Sequence, residues 1–177
     1  MADGAARREA DHERMKISAS VERRIEAPAD AVYAVIADFR EHHPRILPSA
    51  FSDLAVEEGG VGAGTVHRFT LTLGGRARTS RARVDEPEPG RVLTEREIDG
   101  NLVTTFTVDA LPHERSHVTI ATTWETPGMR GVMERIAAPR ILRRLYTDEL
   151  TLLDRYVRRR SKTAPRVHRA NRAFVIA

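Results

Sequence analysis

Short runs of β-type residues, separated by turn signals, fill the middle of the chain, and one long stripe at helical spacing follows them. Clusters of Gly, Pro and Asp-Gly between the runs are typical of an antiparallel sheet with short connections. The predicted strands are Phe51–Glu57, Thr65–Leu73, Arg76–Asp85, Arg91–Ile98, Leu102–Ala110 and His117–Glu125. After Pro127-Gly128, apolar side chains recur at helical spacing from Val132 to Val157. We expect one long C-terminal helix there, kinked or divided at Pro139 because proline lacks the helical N–H.

One more strand and a helix precede this region. In "KISASVERRIE", residues 16–26, apolar positions alternate, so we expect a strand with one face towards the core. Pro28 ends it, because proline has the backbone angle of a first helical turn. Val32, Ile36 and Phe39 then follow at helical spacing, and "REHHPRILP" gives a second short helical or irregular piece. The order of elements therefore predicts an α+β fold.

Length and composition narrow the class of protein. A chain of 177 residues is long enough for one domain with a core and a cavity. It contains no cysteine, which excludes disulfides, thiol nucleophiles and Cys-ligated metals. No apolar run approaches the roughly 18 residues of a transmembrane helix, and the polar start has no signal-peptide core. We therefore expect a cytoplasmic protein without a transmembrane segment.

Charge is distributed unevenly along the chain. The net charge is +4, but Arg158–Ala177 carries seven Lys or Arg and no Asp or Glu, so the rest is net acidic. The body has no basic stripe with interleaved aromatic residues, which argues against nucleic-acid binding through the folded domain. We predict a flexible N-terminal extension at residues 1–14, a ligand-binding domain at 15–160 and a basic, disordered tail at 161–177. Met15 is a candidate for an alternative start of translation, and the sequence leaves the choice between Met1 and Met15 open.

Alternation along the strands predicts which side chains face the core side of the sheet. The predicted inner rows are His67, Phe69, Leu71 and Leu73; Val92, Thr94, Arg96 and Ile98; Leu102, Thr104, Phe106 and Val108; and Val118, Ile120, Thr122 and Trp124. These rows are apolar with a few polar members. Such a lining suits a pocket for a mostly apolar small molecule whose orientation is fixed by a few polar groups.

The segments "IEAPADAVYAVIADFREHHPRILP" and "PGMRGVMERIAAPRILRRLYTDELTLLDRYV", with the strands between them, resemble the START-like (SRPBCC) superfamily. Within it they are similar to the bacterial polyketide cyclase/dehydrase and lipid-transport type, over about Met15 to Arg160. The resemblance implies the helix-grip fold: a curved antiparallel sheet of about seven strands around a long C-terminal helix, with two short helices after strand 1 and a hydrophobic cavity. Members range from polyketide aromatases and cyclases to lipid carriers, so the fold does not fix the function.

Polar members of the inner rows are the candidate site residues. An arginine facing an apolar cavity, as predicted for Arg96, must pair with a carboxylate, reach water or meet a ligand oxygen. His67 is suited to proton transfer near neutral pH, and Tyr146 to hydrogen bonding. We predict Arg96, His67 and Tyr146 as catalytic candidates. The predicted ligand-binding residues are Phe69, Leu71, Thr94, Thr104, Phe106, Thr122, Trp124 and Leu142. Structural roles stay open: Arg96 paired with Glu95 or Glu125, His67 bonded to a threonine, and Tyr146 in the core.

Three other motifs have ordinary interpretations. "HERSH", residues 113–117, matches the zinc-protease signature, but it follows Pro112 and enters a strand, so its histidines do not share a helical face. "GGVGAG", residues 59–64, precedes a strand rather than a helix, so we expect a mobile loop at the pocket mouth, not a phosphate site. His42 and His43 are adjacent on a proline-bounded segment, and we expect them to be exposed or to line an entrance. We predict no metal and no cofactor.

Three functions are compatible with the sequence. The first is binding of a hydrophobic, partly oxygenated small molecule that is polyketide-like or a lipid. The alternative is a polyketide cyclase, aromatase or dehydratase without a cofactor, in which Arg96 stabilises an enolate and His67 or Tyr146 moves protons. The third is a co-chaperone or partner-binding module that uses the groove or the basic tail. Whether the protein is an enzyme stays open, and the sequence carries no signal of oligomeric state.

Overall fold

The computed structural model describes residues 14–127 and 131–163 of the chain. Within these ranges there are one antiparallel sheet of seven strands, two α-helices and a short 3-10 helix. The strands are β1 Arg14–Ile25, β2 Phe51–Glu58, β3 Val66–Leu73, β4 Arg76–Glu88, β5 Val92–Glu97, β6 Val103–Leu111 and β7 Arg115–Pro127. The helices are α1 Ala29–Ala37, the 3-10 helix His43–Arg45 and α2 Gly131–Thr163. This confirms the predicted α+β helix-grip fold.

The first and last strands along the chain, β1 and β7, are neighbours in the sheet. Neighbouring strands follow the order β1-β7-β6-β5-β4-β3-β2, and every pair is antiparallel. β1 pairs with β7 over its whole length, from Arg14 opposite Pro127 to Ile25 opposite Ser116. Register shifts interrupt β2 and the C-terminal part of β4. Such irregularities bend a strand and increase its twist, which suits a sheet that wraps around a helix.

The change from strand to helix occurs at Pro28, as the sequence predicts. Pro28 precedes α1 with φ −58° and ψ 147°, and its missing N–H removes no helical hydrogen bond at this position. Asp30 lies in the first turn, where a negative charge complements the helix dipole. Val32 and Ile36 are fully buried, and α1 packs against β6, β7 and α2. The turn therefore folds α1 back onto the sheet.

The sequence predicts that the glycine-rich loop at residues 59–64 lies at the pocket mouth, but the structure places it beside the end of α1. The N–H of Phe39 donates to the carbonyl of Gly60, and the N–H of Gly62 donates to the carbonyl of Ala37, both at 2.9 Å. Gly60 has a φ of 132°, a conformation that residues with a side chain rarely adopt. These bonds hold the loop at the end of α1. It lines neither of the two cavities described below.

Helix α2 lies across the sheet and contacts β1, β7 and α1. Its buried side chains form one stripe of Leu145, Tyr146, Glu149, Leu150, Leu153, Asp154 and Val157. The helix continues past Pro139, so the predicted division into two helices does not occur. Arg23, which interrupts the apolar row of β1, donates to Thr151 at 3.1 Å and lies 3.5 Å from Asp154. This polar contact fastens β1 to α2.

The ends of the domain are only partly described. α2 continues to Thr163, beyond the predicted domain end at residue 160. Residues 1–13 and 164–177, which contain most of the predicted extension and tail, lie outside the described residues. Among the helices of the described ranges, none combines the length and the apolar character that crossing a membrane requires.

Truncating the core face of α2 will test this packing. Leu150 is fully buried, so Leu150→Ala should lower the free energy of unfolding by about 2–5 kcal/mol through lost contacts and a cavity. Ile141→Ala is the matched control, because Ile141 lies on the same helix with 42% of its surface exposed. The control should cost less than about 1 kcal/mol. Urea denaturation measures both variants, and equal losses would contradict the proposed burial of this face.

Candidate functional site

The concave face of the sheet and α2 enclose a cavity of about 100 Å³, named here the inner cavity. It is bounded by side chains from β2, β3, β4, β5, β6, α2 and the segment around the 3-10 helix. Most of its wall is apolar and aromatic, formed by Phe51, Phe69, Leu71, Leu102, Phe106 and Leu142. Polar side chains interrupt this wall, among them His43, His67, Glu95 and Glu149. This distribution is typical of a site for a small apolar ligand.

A wider space of about 490 Å³, named the outer cavity, adjoins the inner one. Both cavities are lined by Leu71, Arg78, Glu97, Leu102 and Leu142. The outer cavity adds apolar surface from Trp124 and from the exposed Ile141. At the boundary, Arg78 bonds to Glu97, and Ser80 donates to the same carboxylate oxygen at 2.9 Å. The two cavities are therefore adjacent, with a polar group at their boundary.

Aromatic rings pack against the two histidines of the inner cavity. The ring of Phe39, which is fully buried, stacks on the ring of His43 with a centroid distance of 4.4 Å. It also stacks on the ring of His67 at 4.6 Å, and the ring of His67 stacks in turn on Phe69 at 5.7 Å. These contacts limit rotation of both imidazoles. The two histidines are thereby held in fixed positions beside the cavity.

Glu95 lies between the two histidines. Nε2 of His67 is 3.5 Å from one carboxylate oxygen, and Nε2 of His43 is 3.9 Å from the other. Nδ1 of His43 is 2.7 Å from the carbonyl oxygen of Ile36. A carbonyl can only accept, so Nδ1 carries the hydrogen and Nε2 is directed to the carboxylate. One carboxylate and two imidazoles thus lie within ion-pair distance of each other beside the cavity.

Burial and charge shift the pKa values of this group in ways that favour one ionisation state. Burial by itself would raise the pKa of Glu95, but the interaction with His67 and the positive potential of both imidazoles outweigh it. The pKa of Glu95 is therefore below its ordinary value, and the carboxylate is ionised near neutral pH. Burial lowers the pKa of His43, although Glu95 and the Ile36 carbonyl oppose this effect. Glu95 is accordingly a charged acceptor in an apolar cavity.

Tyr146 of α2 is joined to the sheet by a chain of hydroxyl groups. Its hydroxyl lies 2.5 Å from Oγ1 of Thr122, which lies 2.8 Å from Oγ1 of Thr104. Burial raises the pKa of Tyr146 to about 12, so its hydroxyl keeps its proton near neutral pH. Tyr146 and Thr104 both line the inner cavity. The pair can therefore offer a hydroxyl group to a ligand oxygen.

Glu149 is a second carboxyl group in the same cavity, with a different environment. Its residue surface is only 3% exposed, and its Oε1 has no hydrogen-bond partner among the described residues. Burial raises the pKa of Glu149 well above its ordinary value, and the negative charge of Glu95 raises it further. Glu149 therefore keeps its proton to higher pH than an exposed carboxyl group does. Two carboxyl groups whose pKa values are shifted in opposite directions line one cavity, as in many acid–base sites.

Two predicted site residues lie on the wrong face of β5. Arg96 has 56% of its side chain exposed and lies 3.5 Å from Asp85, outside both cavities. Thr94 is buried but shares the outer face with Arg96, and it lines neither cavity. The inward row of β5 contains Glu95 and Glu97 instead. The predicted row for this strand was therefore displaced by one residue, which reverses every side chain.

The structure brings most of the other predicted residues together. Those that line the inner cavity are His67, Tyr146, Phe69, Leu71, Thr104, Phe106 and Leu142. Thr122 contacts this group through the hydroxyl of Tyr146, and Trp124 lines the outer cavity. Whether these residues bind a ligand stays a prediction.

Sequence reasoning missed three residues of the site. His43, predicted to be exposed or to line an entrance, is only 2% exposed and lies against the inner cavity. Glu95 was assigned to the outer face of β5, and Glu149 was not singled out. A signal for Glu149 exists, because it occupies a position of the α2 stripe where an apolar residue is expected. Nothing local to the sequence distinguishes His43 from its neighbour His42.

The two motifs with metal-ligand character lie away from this site. Residues 113–117 form a turn into β7, with φ of 64° at His113 and 54° at Glu114. This agrees with the prediction that the pentapeptide is not helical. Asp38, Glu41 and His42 place possible ligand atoms within 4.8 Å of one another.

The nitrogens of His42 already have close neighbours. The hydroxyl of Tyr156 is 3.0 Å from Nδ1, and a guanidinium nitrogen of Arg160 is 2.7 Å from Nε2. The cluster therefore contributes to the contact between the segment after α1 and the end of α2.

A curved antiparallel sheet around one long helix, with a partly polar cavity between them, defines a START-like (SRPBCC) protein. The family model described as "Polyketide cyclase / dehydrase and lipid transport" matches residues 16–158. The chain belongs to this family.

Solved structures agree with this assignment. The NMR structure of the KanY protein is 35% identical in sequence, covers 81% of this chain and 99% of its own, and has a TM-score of 0.71. The Zhui aromatase/cyclase from Streptomyces sp. R1128 is 20% identical, covering 85% and 99% of the two chains, with a TM-score of 0.71. Norcoclaurine synthase from Thalictrum flavum is 18% identical, covering 85% and 91%, with a TM-score of 0.67. The last two show a shared fold. Among curated proteins, none matches the chain.

The protonation state of Glu149 can be measured through stability. In the unfolded chain its carboxyl loses its proton near pH 4.5, while in the folded protein it stays protonated to higher pH. The wild type should therefore lose stability relative to Glu149→Gln as pH rises above about 4.5. Urea denaturation at pH 4, 6 and 8 should show a growing advantage of the variant.

Asp148→Asn is the matched control for this measurement, because Asp148 is the exposed neighbour of Glu149 on α2. Its difference from the wild type should not grow with pH in the same way. A constant difference between wild type and Glu149→Gln from pH 4 to pH 8 would show that Glu149 ionises normally.

Proposed function

We propose that this protein binds a mostly apolar small molecule with oxygen atoms, such as a polyketide or a lipid, in the inner cavity. The observation that carries the proposal is a set of buried polar atoms without hydrogen-bond partners among the described residues, all of them on side chains that line the inner cavity. These atoms are His67 Nδ1 and Nε2, Glu95 Oε1 and Glu149 Oε1. Buried polar groups without partners lower stability, and polar atoms of a ligand would satisfy them.

The arrangement of the two cavities supports an elongated ligand with a defined orientation. The unpartnered polar atoms of the inner cavity belong to His67 of β3, Glu95 of β5 and Glu149 of α2, none of which lines the outer cavity. Leu71 and Leu142 line both cavities, and Trp124 lies in the outer one. An oxygenated part would therefore lie among the polar groups, while the apolar remainder extends towards Trp124.

The family and its relatives support a function that involves a small molecule. The family description combines cyclases, dehydrases and lipid transport. The similar protein from Streptomyces sp. R1128 is an aromatase/cyclase, and the structure of norcoclaurine synthase holds dopamine and hydroxybenzaldehyde. A co-chaperone or partner-binding module would instead have a collapsed cavity, so the open inner and outer cavities favour a ligand.

Filling the inner cavity with a larger side chain should weaken ligand binding without unfolding the protein. Ala82 of β4 is buried and lines the inner cavity, so Ala82→Leu places new methyl groups in the ligand space. A neutral dimethylaminonaphthalene methyl ketone, whose emission reports the polarity around it, is a suitable probe. We expect the affinity of the variant for this probe to fall by about tenfold or more, since each 1.4 kcal/mol changes affinity tenfold.

Ala121→Leu is the matched control for this experiment, because Ala121 lies on β7 between the inward-facing Ile120 and Thr122 and therefore points to the opposite face. Circular dichroism and thermal unfolding establish that both variants are folded. Equal binding by wild type and a folded Ala82→Leu variant would contradict a ligand in the inner cavity.

Catalysis is a second candidate function, and the group formed by His43, Glu95 and His67 favours it. An ionised carboxylate in an apolar cavity is suited to take a proton from a carbon between two carbonyl groups. Tyr146 keeps its proton and could donate a hydrogen bond to the resulting enolate oxygen. This is the chemistry of a polyketide cyclase, aromatase or dehydratase. Arg96, predicted for the enolate, is too far outside the cavity to take that role.

Replacing the proposed base separates binding from catalysis. Glu95→Gln keeps the size of the side chain but removes the basic oxygen, so turnover of a linear poly-β-ketone analogue should fall by about 10²–10⁴-fold. Binding of the neutral ketone probe should change much less. Asp85→Asn on the outer face of β4 is the control and should leave both quantities unchanged. Unaltered turnover in a folded Glu95→Gln variant would exclude Glu95 as the base.

A further inference from the structure

One position in the apolar stripe of α2 carries a carboxyl group instead of a hydrocarbon side chain. Leu145, Leu150 and Leu153 are buried on this face, and Glu149 is buried among them. Glu149 also lines the inner cavity, and its Oε1 has no hydrogen-bond partner among the described residues. A leucine would suit this stripe better if the position served packing alone. A polar contact with a ligand therefore explains this carboxyl group better than packing does.

The charges around Glu149 leave it no cationic partner. No Lys or Arg in the described part of the chain forms an ion pair with it. The two arginines that line the cavity are engaged elsewhere, Arg78 with Glu97 and Arg81 with Glu57. Across the cavity stands the carboxylate of Glu95, whose negative charge would repel a second one.

The other titratable groups near Glu149 are Tyr146, one turn earlier on α2, and the two histidines beside Glu95. The hydroxyl of Tyr146 is engaged with Thr122, and Nδ1 of His43 with the carbonyl of Ile36. A protonated Glu149, whose Oε1 has no hydrogen-bond partner among the described residues, is therefore a further buried donor for a ligand.

We propose that Glu149 acts as a neutral hydrogen-bond donor that selects ligands with an uncharged acceptor oxygen, a ketone or an ester, over carboxylates of the same shape. The proposal rests on the proposed function, because it assigns a ligand class to the same cavity. A carbonyl oxygen accepts the hydrogen bond of the carboxylic acid. A carboxylate in the same position meets the negative charge of Glu95, while the two arginines of the cavity are already paired with Glu97 and Glu57. Glu149 is thus a specificity-determining residue.

Three probes with one ring system test this selectivity. They are a dimethylaminonaphthalene methyl ketone, the corresponding carboxylate and the corresponding ethyl compound, which has no acceptor oxygen. Each is titrated into the full-length wild type, Glu149→Gln, Glu149→Leu and the control Asp148→Asn. The infrared carbonyl band of the bound ketone gives a second readout, because a hydrogen bond to the oxygen lowers its frequency.

We expect the wild type to bind the ketone more tightly than the carboxylate. Glu149→Leu should weaken ketone binding by about 5–15-fold, the effect of one neutral hydrogen bond, and return the carbonyl band to its position without a hydrogen bond. The ethyl compound should bind Glu149→Leu as well as or better than it binds the wild type. Glu149→Gln retains an N–H donor and should keep ketone affinity within about threefold. Asp148→Asn should resemble the wild type throughout.

The possible failures are distinguishable. If the ketone and ethyl probes both fail to bind the wild type, the proposed function is wrong and this inference falls with it. If the ketone binds but its affinity and carbonyl band are the same in wild type and Glu149→Leu, the role of Glu149 is wrong and the proposed function stands. Tighter binding of the carboxylate than of the ketone also overturns the role of Glu149. Should Glu149→Leu fail to fold, an unshifted carbonyl band in both wild type and Glu149→Gln overturns it.

Discussion

The charge on Glu95, buried in an apolar cavity, is the interaction around which the polar part of the site is organised. Removing a carboxylate from water is costly unless opposite charges and hydrogen-bond donors surround it. His67 comes from β3 and His43 from the segment after α1, and Nε2 of each imidazole approaches the carboxylate. The carbonyl of Ile36 fixes the ring of His43. The turn at Pro28, which folds α1 onto the sheet, therefore also contributes to the position of this imidazole.

The sequence predicted the strands and three of their inner rows because those rows alternate cleanly between apolar and polar residues. In β5 the same reasoning failed. The inward row contains Leu93, Glu95 and Glu97, whereas the outward row contains Val92 and Ile98, so hydrophobicity alone favours the wrong face. The groups that compensate the two acids come from distant parts of the chain. Local patterns break down where side chains serve a site instead of the core.

Glu149 and His43, which were not predicted as site residues, differ in how clearly the sequence marks them. Glu149 interrupts a regular stripe, so a search for charged residues at core positions of a helix finds it without any structure. His43 gives no such signal, since His42 beside it has the same chemistry. Only the path of the chain after α1 decides which ring is buried. The fold of this family is therefore readable from sequence, but the chemistry of its cavity depends on contacts between elements that are far apart.

The pairing of β1 with β7 has a consequence for how the protein forms. Roughly a hundred residues of chain separate the two strands, and contacts of such long range raise the contact order and slow folding. As the chain leaves the ribosome, β1 has no sheet neighbour until β7 has been made, and α2 follows later still. During this interval the apolar rows of the middle strands are exposed to water and to other chains. The architecture that creates a ligand cavity thus makes the newly synthesised chain vulnerable to aggregation until its last helix is in place.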